Sequence, residues 1–280
     1  MKLSRRTVVA ALGGATAVGV AGATTWADGG DESPTADALV AGSLLELASA
    51  VPGATVEAHG SAAVRRLIVE GIRDPDAVAL ADPRLFDGVS ERATLFATNA
   101  LVLTHAPATP VADALREDWR GTLERPDVRV GRTDPTLDPL GYRTVMALRL
   151  TARRGEFDAE AVLAESTVFP ETDLLNAVEG GAVDVAVTYR NMAVQRDLPY
   201  WELPASVDFS DPTHADTYAT VSYDIGDRTV QGAPIRYAAT ATTDAGEPWV
   251  DALVTGRERL RTAGFSVPES YPTREHVGDA

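Results

Sequence analysis

The chain has 280 residues, 45% hydrophobic and 24% charged, with 41 acidic side chains against 25 basic ones and a formal charge of -16. That balance excludes a nucleic-acid-binding protein, which needs a basic face, and the absence of cysteine excludes disulfides, thiolate catalysis, cysteine metal sites and a lipidated cysteine anchor. Lys2 is the only lysine, so nearly every base is arginine; an acidic, lysine-poor surface suits salt-rich surroundings that screen self-repulsion, as in a halophilic archaeon, although a GC-rich genome gives the same bias.

The first segment, residues 1–27, has the layout of a twin-arginine export signal. Arg5-Arg6 precede an uncharged, moderately hydrophobic run from Val8 to Ala23, and Thr25-Trp26-Ala27 offers a small-residue cleavage site. The alternative is an uncleaved signal that tethers the chain to the membrane. Both place the body outside the cytoplasm, at the cell surface or beyond. Residues 28–35 are a polar linker, and no later segment is apolar for long enough to span a bilayer.

The body opens with a strand at Ala38–Val40, a Gly42-Ser43 turn and a helix from Leu44 to Ala50. The same succession follows at once: a strand at Val56–Ala58, a Gly60-Ser61 turn and a helix from Ala62 to Gly71, whose Val64, Leu67 and Ile68 share one face. A third strand, Val78–Ala81, ends at Asp82-Pro83. Alternating strands and helices of this kind predict an α/β unit with a parallel sheet. Further on, the pattern predicts a strand at Leu95–Leu103, a helix at Val111–Trp119, a strand at Val128–Gly131 and a helix at Gly141–Thr151. A helix at Leu174–Val178, a strand at Val183–Tyr189 and a helix from Asn191 come next. The tail adds strands near Tyr218–Tyr223 and Pro234–Ala241 and a helix from Trp249 to Ala263.

Ligands of open parallel sheets sit beyond the carboxyl ends of the strands, where helix N-termini offer free N–H groups to an anion. Two successive Gly-Ser turns at such places point to an anion site, but a serine there also serves as an ordinary helix cap. The histidines, His59, His105, His214 and His276, lack the i, i+4 spacing of a zinc helix. Pattern alone therefore reaches an exported α/β protein with an anion site as one reading of its turns.

The segment from Asp118-Trp119 through Leu123 to Thr144, with Asp134-Pro135-Thr136-Leu137-Asp138-Pro139-Leu140-Gly141 at its centre, resembles the tungstate/molybdate-binding proteins of archaeal ABC importers, relatives of the bacterial molybdate-binding proteins. Shorter matches follow in the same order over residues 38–265: Ala41-Gly42-Ser43-Leu44, Gly60-Ser61, Phe96-Ala97-Thr98-Asn99, Glu171-Thr172-Asp173-Leu174, Tyr189-Arg190-Asn191-Met192 and Gly232-Ala233-Pro234-Ile235-Arg236-Tyr237.

The resemblance implies a periplasmic-binding-protein type II fold of two α/β lobes, each a mostly parallel sheet flanked by helices, that close on the ligand. The first lobe would comprise 36–104 and 199–280, the second 105–198. It implies that Ser43, Ser61, the Leu140 amide and the Tyr189 hydroxyl donate to oxyanion oxygens. It also implies that Asp138 and Glu171 reach the metal centre of the oxyanion itself. A carboxylate repels a dianion, so it belongs there only if it binds the W(VI) or Mo(VI) atom, which sulfur and phosphorus do not readily allow. Read alone, Asp138 is a turn residue before proline and Glu171 a charge near a helix start. Departures from the family are Leu140 where cysteine is frequent, Asn191 where serine is frequent, and a short stretch between Gly155 and Phe169.

The function so implied is an extracellular substrate-binding protein, a monomer with no cofactor, that carries tungstate or molybdate to the permease and ATPase subunits of an ABC importer. A sulfate- or phosphate-type receptor is the alternative; it needs only hydrogen bonds and has no use for Asp138 or Glu171. An exported hydrolase is the remote one, since no G-x-S-x-G, S-x-x-K or H-E-x-x-H occurs.

Overall fold

The computed structural model describes residues 35–107, 109–226 and 228–277. The export-signal reading and nearly all of the linker reading lie outside the described residues.

Strand β1 (Ala36–Ala41) leads through a short 3-10 turn at Gly42–Leu44 into helix α1 (Leu45–Ser49). Strand β2 (Ala54–His59), helix α2 (Ser61–Val69) and strand β3 (Ala77–Leu80) follow. β1 pairs in parallel with β2 on one side and β3 on the other. β3 is buried throughout and β1 nearly so; strands covered on both faces read as continuous Ala/Val/Leu runs rather than alternating ones.

The expected strand Leu95–Leu103 is in fact two, β4 (Arg92–Thr98) and β5 (Leu101–His105), and they belong to different sheets. Only the polar pair Thr98-Asn99 interrupts the apolar run there, too short a gap to mark a strand end by hydropathy. The break lies at Asn99, whose Oδ1 accepts the N–H of Ala100 at 2.9 Å and so competes with the strand ladder.

The second sheet is built from β5, β6 (Val130–Thr133), β7 (Thr167–Phe169), β8 (Val185–Tyr189) and β9 (Tyr200–Glu202) in the order β7-β6-β8-β5-β9. Helices α3 (Val111–Leu123), α4 (Pro139–Ala152), α5 (Ala159–Glu165), α6 (Leu174–Glu179) and α7 (Arg190–Gln195) punctuate it. α4 is the central one: of its residues only Arg149 and Ala152 are not buried.

The chain then returns to the first sheet. Helix α8 (Ala215–Tyr218) and the hairpin of β10 (Ser222–Ile225) and β11 (Arg228–Gln231) precede β12 (Arg236–Ala241), α9 (Glu247–Thr255), α10 (Arg257–Thr262) and β13 (Thr273–His276). Two expectations are corrected here. Tyr218 closes a helix, and the strand expected from it begins only at Ser222. The helix expected over Trp249–Ala263 is broken at Gly256, whose φ of -72° and ψ of 52° lie outside the helical region.

The first sheet has the order β13-β4-β12-β3-β1-β2. Its parallel part is β2-β1-β3, and that of the second sheet is β7-β6-β8; β12, β13, β5 and β9 pair antiparallel. Because β5 and β9 pair within the second sheet, the chain changes sheets at Asn99-Ala100 and again after Glu202, whereas the expected lobe edges fall inside β5 and just ahead of β9. Among the described residues no helix is long and apolar enough to cross a membrane.

A buried polar contact fixes the antiparallel half of the second sheet. Thr104 on β5 and Thr188 on β8 are diagonal neighbours, both 0% exposed, with their hydroxyls 2.6 Å apart. Changing either to valine strands the other hydroxyl in the core, at a cost of about 1–3 kcal/mol. The double change to valine removes both and is expected to cost clearly less than the two single changes together. Denaturant midpoints of the three variants check this; additive losses would mean that the hydroxyls do not depend on each other.

Candidate functional site

In each sheet the strand order reverses around one central parallel strand, β1 in the first and β6 in the second. That reversal opens a crevice at the carboxyl end of the strand, where α/β sheets bind ligands. The Gly42-Ser43 turn leaves β1, and the turn ending in Asp138 leaves β6 for α4. The neighbouring strands deliver the rest: Gly60-Ser61 follows β2, Asp82 follows β3, Glu171 follows β7 and Tyr189 ends β8.

The two crevices face each other at contact distance. The Ala63 N–H on α2 donates to the Leu137 carbonyl at 3.1 Å, from one sheet's turns to the other's. A Cβ on Gly42 would stand 2.7 Å from Glu171 Oε2, and one on Gly60 would stand 2.7 Å from Asp138 Cβ. Both turns therefore need glycine for close approach rather than for an unusual φ.

The six residues singled out from the sequence all lie in this closed cleft, each buried. Neither serine caps its helix. Ser61 Oγ accepts the Ala81 N–H at 3.1 Å, and Ser43 Oγ is hydrogen-bonded to the Tyr237 hydroxyl at 3.1 Å. Tyr189 Oη accepts from Arg143 Nη1 at 2.8 Å. The Leu140 side chain is core, while its N–H and that of Gly141, the latter at 2.8 Å, serve the Asp138 carboxylate. Asp138 thus caps α4, and its Oδ1 also accepts from Thr133 Oγ1 at 2.8 Å.

The carboxylates set the electrostatics. Burial is the main reason that Asp138 is pushed up to about 7, with Asp134 adding to it and the Gly141 and Thr133 hydrogen bonds opposing it. Glu171 is raised well above the ordinary glutamate range, first by burial and then by Asp138. It leans on the Gly42-Ser43 turn, which offsets part of this, yet neither carboxylate oxygen has a well-formed hydrogen bond among the described residues. A buried carboxylate in that condition is rare and calls for a ligand or a proton. A small cavity of about 40 Å³ lies on the Glu171 side of the cleft, bounded by Gly42, Ser43 and Glu171 and by Glu46, Gln195 and Arg196 at its rim; Ser61, Asp138 and Tyr189 do not line it.

Sequence reasoning missed the residues that brace these groups. Asp82 and Arg143 form a fully buried ion pair across the two sheets, with Arg143 Nη2 3.1 Å from Asp82 Oδ2 and Nη1 donating to the Ala81 carbonyl at 2.8 Å. Tyr142 donates to the same Oδ2 at 2.7 Å, and Arg84 binds both carboxylate oxygens. Burial alone would raise Asp82; Arg84 and Arg143 outweigh it and hold the carboxyl far below the usual range. On the other side Asn99 Nδ2 donates to Asn191 Oδ1, and Asn191 Nδ2 to the Ser43 carbonyl, each at 2.7 Å. The one sequence signal for Arg143 was an arginine within the apolar stretch of α4; nothing local named its partner.

Two mixed sheets whose switch points meet over buried hydroxyls and carboxylates define a two-lobed solute-binding protein. Residues 53–266 match the bacterial extracellular solute-binding protein family, and the chain belongs to it; its members bind solutes and are not enzymes. A Haloferax volcanii protein, described provisionally as an ABC transporter molybdenum-binding protein, is 46% identical over 99% of this chain and 95% of its own. A molybdate/tungstate-binding protein of Thermococcus kodakarensis is 31% identical over 68% of this chain and 63% of its own. Among solved structures, the periplasmic molybdate-binding protein of Azotobacter vinelandii superposes with a TM-score of 0.58 at 16% identity, over 84% of this chain and 100% of that one. The sulfate-binding protein SubI of Mycobacterium tuberculosis gives 0.53 at 14%, over 84% and 87%. At those identities the likeness speaks for the fold alone.

The raised carboxyls make a pH prediction for the ligand-free protein. Where the folded value lies above the ordinary 3.8, the folded chain keeps a proton that the unfolded chain has lost, so stability falls as pH rises from about 4 towards 7. Asp138→Asn removes that linkage. Urea midpoints at pH 5 and pH 8 in constant salt are expected to drop more for the wild type than for Asp138→Asn; equal drops would show that Asp138 ionises alike in both states.

Proposed function

We propose that this protein is the extracellular binding component of an ABC importer and that its cargo is tungstate or molybdate, captured between the lobes and handed to the permease and ATPase subunits. The observation that carries the reading is the pair of buried carboxylates, Asp138 and Glu171, which act on each other in the closed cleft where the Gly42-Ser43 turn leans on Glu171. For a receptor that recognises an oxyanion by hydrogen bonds alone, two acids in the cleft are a liability once they are ionised. Two unit charges about 4 Å apart repel by roughly 4 kcal/mol at an effective dielectric near 20. The liability becomes a device if the carboxylates add to the W(VI) or Mo(VI) centre. The serine and tyrosine hydroxyls then hold the oxo groups, while sulfate and phosphate meet the repulsion without the bond. Discrimination against the commoner anions follows from chemistry rather than from size. The names of the Haloferax and Thermococcus relatives agree with this cargo.

Calorimetric titration of the purified protein with tungstate, molybdate and sulfate tests the reading. One-to-one binding of tungstate or molybdate with no uptake of sulfate at similar concentration is expected, and equal affinity for sulfate would overturn it. At a ligand concentration about 100 times the dissociation constant, the melting transition should also gain roughly 2.7 kcal/mol. Asp138→Asn and Glu171→Gln separate ligation from mere proximity. If the carboxylates bind the metal centre, both changes weaken tungstate binding. If they are bystanders, both changes strengthen it at an alkaline pH where the wild-type acids are ionised, by removing negative charge.

A further inference from the structure

Arg143 is the cation buried at the heart of the cleft, 1% exposed on α4. Its guanidinium makes three hydrogen bonds, and they run to both lobes. Two go to the first lobe, to the Ala81 carbonyl at 2.8 Å and to Asp82 Oδ2 at 3.1 Å. The third goes to Tyr189 Oη in its own lobe, at 2.8 Å.

We propose that Arg143 is a positioning residue for the bound oxyanion: anchored on Asp82 and Ala81 when the lobes meet, it fixes the Tyr189 hydroxyl with its proton turned to the ligand. The inference rests on the oxyanion reading above and deepens it. The argument is one of donors and acceptors. A guanidinium donates and never accepts, so the Tyr189 oxygen is the acceptor in their bond. The hydroxyl's own hydrogen must then point elsewhere, and Tyr189 Oη has no other hydrogen-bond partner among the described residues. Ser61 is held by the same logic: its Oγ accepts the Ala81 N–H, which leaves its hydrogen to be donated. Ala81 therefore sets two hydroxyls as donors, Ser61 through its N–H and Tyr189 through its carbonyl and Arg143. The anchors are in one lobe and the hydroxyl in the other, so closure is what ties the Arg143–Tyr189 pair to the first lobe. Asp82 is shared between Arg84 and Arg143, so the cluster keeps a positive charge, and a change to lysine at 143 preserves that charge while removing the geometry. The planar fork that spans the Ala81 carbonyl, Asp82 and Tyr189 is also one that a lysine does not reproduce.

The test is a double-mutant cycle read by molybdate and tungstate titration, with a ligand-free melting curve of each variant as the check on folding. Arg143→Lys keeps the charge and loses the fork. Tyr189→Phe removes the donor. Each is expected to weaken binding about tenfold or more, the scale of one charge-assisted hydrogen bond. The double variant is expected to bind no more weakly than the worse single one, because Arg143 acts through Tyr189. Losses that multiply in the double variant would overturn the proposal, as would Arg143→Lys binding like the wild type. Asp82→Asn supplies an arm of opposite sign. Removing a negative charge should tighten anion binding if charge alone matters, whereas a lost anchor for Arg143 weakens it several-fold; tightening would overturn the proposal. Should Arg143→Lys fail to fold, the cycle of Asp82→Asn with Tyr189→Phe takes its place with the same expected non-additivity. A wild-type protein that binds none of tungstate, molybdate and sulfate defeats the oxyanion reading and this inference with it. Wild-type binding with unaffected variants defeats this inference alone.

Discussion

A carboxylate taken out of water without a partner is among the most costly features a fold can carry, and the closed cleft carries Glu171 in that condition with Asp138 within electrostatic reach. Much of the surrounding architecture answers this constraint. Glycine at 42 and 60 lets the first-lobe turns come within contact of the two acids. The start of α4 turns the Gly141 and Leu140 amides onto Asp138, with Thr133 completing its shell. For Glu171 the protein supplies only the leaning Gly42-Ser43 turn. Both acids respond by holding a proton more firmly than an exposed carboxyl does, the usual outcome when burial outweighs the available hydrogen bonds.

Asp82 is the opposite case and shows what compensation requires. It is as buried as Asp138, yet it stays ionised because Arg84, Arg143 and Tyr142 all donate to it. Buried ion pairs repay their desolvation only when geometry is good and the remaining lone pairs are satisfied, and this one meets both conditions. The contrast divides the cleft by role. The fully partnered acid, Asp82, joins the lobes. The acid left without partners faces the small cavity beside Ser43. The two lobes also mirror each other in plan. The first, second and third parallel strands of one sheet end at Ser43, Ser61 and Asp82, and those of the other lead to Asp138, Glu171 and Tyr189. Hydroxyls dominate one side of the cleft and carboxylates the other.

The sequence made the strand–helix alternation legible in β1 to β3 and in α4. It also made the two Gly-Ser turns legible, but not their purpose. Whether a serine caps its helix or bonds elsewhere depends on Ala81 and Tyr237, which lie far along the chain. The break between β4 and β5 was hidden because only Thr98-Asn99 interrupt the apolar run, and the deciding contacts of the Asn99 side chain are made in the fold. β7 and β9 have three residues each, too few for a period to show. Arg143 and Asp82 were visible as letters and not as a pair, since nothing short of the closed fold brings α4 against the end of β3.

The fold is shared by solved proteins that are named for molybdate and for sulfate, so the architecture does not by itself choose the anion. Switch-point crevices and helix starts supply N–H groups to any tetrahedral oxyanion, and that part of the site is generic. The buried acids sit on two turns, Asp138 on the one entering α4 and Glu171 on the one preceding α6. A turn can exchange one side chain for another without disturbing the sheets behind it. The rest of the molecule brings those two turns to within a few ångströms of the glycines opposite, so under the proposed reading selectivity would rest on a few positions at the ends of β6 and β7.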